Sequence, residues 1–158
     1  MVIESKLTEH LDANHVATFQ DKYKRAILFA ESSWRAFYEE LLSEPAQKLS
    51  RRFQYLHVGQ LVRHYLGLAS QVAEGGIYEG RSATLLYLYW EPDDAESYLA
   101  CQTHRAEVLA AQAAVSDPDI PFGAMSYRDL WRSWAQPNEP GLQQRHARYL
   151  EGRYGVAL

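Results

Sequence analysis

Cysteine is almost missing from this chain: Cys101 stands alone among 158 residues, so no internal disulfide can form and nothing points to an oxidising compartment. Long apolar runs are missing too. None approaches the roughly 20 residues needed to cross a bilayer, and the N-terminus lacks the basic-then-apolar layout of a secretory signal. Membrane insertion is thereby excluded, and the cytoplasm is the expected location. Nor is there a surplus of positive charge, because 16 Lys and Arg against 20 Asp and Glu leave a net charge of -4. That balance argues against a protein that coats nucleic acid by bulk electrostatics. Phosphate-cradling glycine loops, nucleophile elbows and zinc signatures are lacking, and there is no internal repeat, low-complexity tract or linker.

What is present suits a folded domain. Hydrophobic residues make up 47% and charged residues 23%, close to the globular average, and the length suits a single domain over residues 1–158 with one core. Residues 2–7 alternate apolar and polar as a short strand does. Tyr23, Ile27, Ala30, Trp34, Phe37 and Leu41 recur at spacings of three and four, which predicts one long helix over 18–42, closed before Pro45. A second helix is predicted over 50–74, with Gly75-Gly76 as its stop. The apolar run 84–90 suits a strand covered on both faces. A third helix is expected over 95–115, with Asp93 and Asp94 available as caps. A short strand over 120–125 and two further helices complete the chain, the first opened by Ser126 three residues before Asp129. The expected fold class is α/β, a small mixed sheet flanked by helices.

Glu4 and Lys6 lie two apart on the predicted first strand, so both face the same way, about 7 Å apart along the backbone. A carboxylate there can hold a divalent cation that stabilises a phosphodiester under attack, while the ammonium orients or helps deprotonate a water. Glu-x-Lys is also a common tripeptide, and a solvent-facing charge pair on an edge strand is the competing interpretation. On the second predicted helix His57, Gln60, His64 and Gln71 form a polar stripe flanked by Arg63. Four cations and no acid occur between Pro45 and Ala73. This face either looks toward a site and a phosphate backbone, with Arg51, Arg52, Arg63 and His64 as contacts, or is the solvated side of an amphipathic helix.

The segment Val2-Ile3-Glu4-Ser5-Lys6-Leu7-Thr8-Glu9-His10 resembles the catalytic-strand motif of the PD-(D/E)XK, restriction-endonuclease-like nucleases. Gln60-Leu61-Val62-Arg63-His64-Tyr65 resembles the helix that follows it, and the run from Ala83 to Pro92 is similar to the next core strand. The resemblance implies Glu4, Lys6 and Gln60 as catalytic residues, Glu4 as a ligand to Mg²⁺ or Mn²⁺, and DNA as the partner. The superfamily also places an aspartate ligand on a strand before the Glu-x-Lys strand, whereas only Met1, Val2 and Ile3 precede Glu4 here. The expectation is therefore an incomplete nuclease core, weakly active or inactive as it stands, whose first strands and acid come from an upstream extension or another chain, or are lost. The strand at 2–7 would then be an exposed edge open to homodimerisation. The alternative is a non-catalytic α/β binding or regulatory module with a protein or nucleic-acid partner.

Three weaker constellations remain. Cys101-x-x-His104 has metal-like spacing but no second pair, and a mid-helix cysteine is usually a small core residue. Glu91, Asp93 and Asp94 could form a carboxylate cluster or cap a helix. Tyr127, Trp131 and Trp134 could stack bases or pack a core.

Overall fold

The computed structural model describes residues 2–6, 19–43, 52–134 and 141–155, except the side chains of Val2 and Glu4. The apolar run becomes β2 (Leu85–Tyr89) at the centre of a three-stranded sheet, between β1 (Val2–Lys6) and β3 (Phe122–Ser126). Both pairings are parallel, and Lys6, Tyr89 and Ser126 stand in register across the sheet. Parallel strands need crossovers, which helices supply. Between β1 and β2 run α1 (Asp21–Ala26), α2 (Ser32–Ser43) and α3 (Val58–Val72), and between β2 and β3 runs α4 (Leu99–Ala114). Then come α5 (Tyr127–Trp134) and α6 (Leu142–Tyr154). The expected α/β class with a helix-flanked sheet is what forms, but among the described residues the sheet is parallel throughout where a mixed one was expected.

Strand alternation divides β2 between two faces. Leu85, Tyr87 and Tyr89 join the main core with side chains of α2, α3 and α4. Leu88 and Trp90 are buried apart from that core; the Trp90 indole donates to the Tyr154 carbonyl of α6 at 2.8 Å. The central run is thus covered on both sides, as its lack of polar alternation required.

The single helix expected over 18–42 is two helices. After α1 the chain tightens into a 3₁₀ turn, Ile27–Phe29, and Ala30 is extended at φ -79°, ψ 142°. The Tyr65 hydroxyl accepts the Glu31 N–H at 2.9 Å, which takes that donor out of any helical ladder. Arg35 donates to the Ala30 carbonyl at 2.9 Å, and Ser33 exchanges hydrogen bonds with the Ser116 backbone. Apolar spacing continues through the break because Ala30 is itself buried.

The helix expected from residue 50 begins at Val58. The Glu107 carboxylate of α4, 5% exposed, accepts the N–H groups of Gln54, Tyr55 and Leu56 at 2.6, 2.9 and 2.7 Å. That fixes an irregular segment whose Phe53 and Leu56 still reach the core. His57 then caps α3, its Nδ1 accepting the Gln60 N–H at 3.2 Å. After Val72 the turn packs so closely that a Cβ on Gly76 would stand 2.2 Å from the Gln71 carbonyl oxygen. Only glycine fits there.

Asp93 and Asp94 do not cap a helix with their side chains. Asp94 precedes a short 3₁₀ turn, Ala95–Ser97, and Tyr98 precedes α4, neither with a side-chain cap. Asp93 instead pairs with Arg128 of α5, and Asp94 accepts the Tyr98 hydroxyl at 3.3 Å. The opening expected at Ser126 does form: its hydroxyl accepts the Asp129 N–H at 3.1 Å and donates to the Asp129 carboxylate at 2.8 Å.

Tyr65 is fully buried, and its hydroxyl donates to Asp117 at 2.6 Å while accepting from Glu31. Tyr65→Phe leaves a buried carboxylate oxygen and a backbone N–H without that partner, and should lower stability by about 2 kcal/mol. Urea denaturation checks this, and a midpoint equal to that of the unmodified protein would refute it.

Candidate functional site

The C-terminal ends of parallel strands are where open α/β sheets gather ligands. Here that end carries Lys6, Tyr89 and Ser126 in register. Lys6 is half-buried, and its ammonium donates to the Gln60 side-chain oxygen at 3.1 Å. Gln60 sits in the first turn of α3, where the His57 cap and carbonyl both receive its backbone N–H. The strand and the helix start therefore hold this pair together from residues 54 positions apart.

Beside the pair lies a second polar group. Tyr89 is buried, and its phenol is pushed up to about 12, first by burial and next by the Glu91 carboxylate, with Arg105 opposing and Asp129 adding. Glu91 is held by Arg105 at 2.5 Å, and Arg105 also pairs with Glu96. His104 is fully buried beneath, 2.9 Å from the Tyr87 hydroxyl and edge-on to the Tyr89 ring.

Of the residues singled out from the sequence, the structure brings Lys6 and Gln60 into contact. Glu4 is placed by its backbone, paired with Tyr87, and its side chain lies outside the described part of the structure, as does Arg51. Arg52 is exposed and bound to Glu40 of α2 at 2.6 Å, so the acid-free stretch is partly neutralised by another helix. His64 is half-buried one turn beyond Gln60.

Arg63 lines a cleft of about 430 Å³ between α1 and α3, together with Lys22 and Arg25. Those two basic residues went unnoticed in the sequence, although the run Asp21-Lys22-Tyr23-Lys24-Arg25 carried the signal; only the fold shows that it faces Arg63. Tyr89 also went unrecognised as a neighbour of Lys6, and the register of β1 with β2 is what reveals it.

Cys101 and His104 are both buried in α4, and burial pushes the thiol up. The described residues contain no group of three or more His, Cys, Asp or Glu able to hold a metal. Trp131 is buried and, with Trp90, Tyr127, Leu150 and Tyr154, walls a cavity of about 200 Å³. Trp134 lies against the His146 ring. No helix among the described residues is long and apolar enough to cross a membrane.

A family model described as "Restriction Endonuclease associating with ARP" matches residues 1–155. No curated protein and no solved structure matches the chain.

The raised Tyr89 proton affinity has a measurable consequence. A phenol whose folded value lies above its ordinary value of 10.0 adds stability that is complete below that pH and is lost as pH rises toward about 12. Alkaline absorbance titration of the native protein should show a late-ionising tyrosine that Tyr89→Phe removes. Amplitude lost near 10.0, with the late phase intact, would contradict the burial of this phenol.

Proposed function

The chain belongs to this restriction-endonuclease family, and from that premise we propose that it is the phosphodiester-cleaving part of a PD-(D/E)XK nuclease acting on DNA with Mg²⁺ or Mn²⁺. The observation that carries this assignment is the 3.1 Å bond from Lys6 to Gln60 at the C-terminal end of β1. An ammonium has three donors. Gln60 accepts from Lys6 and so orients it toward the strand end, where its charge acts on negative charge that develops as the phosphodiester is attacked.

Glu4, two residues earlier on β1, is the carboxylate we assign to the cation. One hard carboxylate with substrate phosphate and water is within the habit of Mg²⁺, and a second acid from an upstream segment or another chain would hold the cation more firmly. When bound, the cation would supply Lewis-acid stabilisation of the reacting phosphate. Arg63 and His64, on the following turn of α3, are assigned to the neighbouring backbone phosphates.

The family's description also supports a protein partner, ARP. Among the described residues the outer edge of β1 pairs with no strand, and Ile3 there is 47% exposed. Such edges invite strand pairing, and we assign this one to the partner or to a second copy of the chain. If cleavage is absent, the binding-module alternative takes the same surfaces without the chemistry.

The test is a plasmid nicking assay with Mg²⁺, Mn²⁺ or EDTA, with and without ARP. Cleavage should need the metal, and Lys6→Ala should slow it by about a hundredfold or more. Gln60→Ala should slow it by roughly tenfold through a misplaced ammonium. Native-like cleavage by Lys6→Ala would remove Lys6 from the chemistry, and no metal-dependent cleavage by the native protein in any arm would leave the binding module.

A further inference from the structure

We infer that the cleft between α1 and α3 is a track for a nucleic-acid phosphate backbone, with Lys22, Arg25 and Arg63 as its cationic walls and Gly67 as its open floor. The inference rests on the nuclease assignment and adds a binding site to it.

Charge is the first support. The cleft of about 430 Å³ is lined by three cations and no carboxylate, on a chain whose net charge is -4. The one acid on α1, Asp21, is tied to Lys24 at 2.7 Å. Against the overall charge, this is a local concentration of positive potential, as contact with phosphate requires.

Gly67 is the second. It lies inside α3, is exposed, and a Cβ added to it would meet nothing within 4 Å. Glycine in a helix interior weakens the helix, and here neither packing nor a left-handed backbone asks for it. Close approach of a ligand backbone does. The Gly67 carbonyl is also met by the Ser70 hydroxyl at 2.9 Å, which leaves that hydroxyl at the cleft wall.

Position is the third. Arg63 follows Gln60 by three residues, roughly 5 Å along the helix axis. A strand of nucleic acid lying in the cleft would therefore run along α3 toward the Lys6–Gln60 pair, so the cleft flanks the reacting phosphate instead of competing with it.

The experiment is fluorescence anisotropy with labelled duplex DNA, and in parallel with labelled polyglutamate, in EDTA so that nothing is cut, over a series of salt concentrations. The variants are Lys22→Ala with Arg25→Ala, and Gly67→Gln. Losing two phosphate contacts should weaken binding by about tenfold or more at moderate salt and reduce the slope of log K against log salt by about 1.8. Gly67→Gln keeps every charge and should raise the melting temperature through better helix propensity, yet weaken binding by filling the floor.

Native-strength binding by both cleft variants would overturn the inference while leaving the nuclease assignment standing. Loss of polyglutamate binding with DNA binding unchanged would also overturn it, in favour of an acidic protein segment. Failure of the native protein to bind DNA at any salt would sink the nuclease assignment itself, and the track with it.

Discussion

The hydroxyl of Tyr65 is shared by three segments far apart in sequence. It accepts the Glu31 N–H where α1 gives way to α2, it belongs to α3, and it donates to Asp117 in the connection from α4 to β3. Asp117 in turn accepts the N–H groups of Asp119 and Ile120 at 2.8 and 3.0 Å, shaping the entry to β3. The Tyr65 ring stacks on Trp34 of α2 with centroids 4.1 Å apart. Burial first, and then Asp117, hold the phenol proton well above its ordinary affinity, so the donor is present wherever the protein is folded. A buried polar group this well satisfied sets a unique arrangement of its neighbours, and here it ties α3 to the α1–α2 break and to the approach to β3.

From that constraint the candidate site follows. Glu107 holds residues 54–56 by three backbone donors, so the chain arrives at α3 from one direction and His57 caps it. The start of α3 then places Gln60 beside Lys6. Glu107 and Tyr65 take no part in the Lys6–Gln60 hydrogen bond, yet both determine where Gln60 stands. A lysine on a long flexible stem loses much rotamer freedom when it is held, and that loss is offset here by structure built far from the strand end.

Much of this was legible in the sequence where one physical signal dominated. The run 84–90 had no polar alternation, which only a doubly covered strand explains, and Glu-x-Lys on a short strand brought Lys6 forward with Gln60 as its helix neighbour. The features that stayed hidden depend on tertiary partners. Apolar spacing runs unbroken through Ala30 because the residue is buried in either conformation, so nothing local announces the break that Tyr65 imposes. Phe53 and Leu56 look helical by spacing but are held out of a helix by Glu107, whose partners Gln54 to Leu56 lie 53 to 51 residues before it. Asp93 looked like a cap because aspartate before a helix usually is one, whereas Arg128 claims it. Lys22 and Arg25 lay outside the acid-free stretch that drew attention to Arg63, and only the packing of α1 on α3 joins them.

We propose that the strand end carrying Glu4 and Lys6 holds both metal and scissile phosphate. Crystals of the protein with uncleavable duplex DNA and Mn²⁺, read by anomalous scattering, test it most directly. A Mn²⁺ peak is expected within coordination distance of a Glu4 carboxylate oxygen, with a phosphate oxygen within hydrogen-bond reach of the Lys6 ammonium. Metal and phosphate bound together at any other part of the molecule, with Lys6 touching neither, would contradict it.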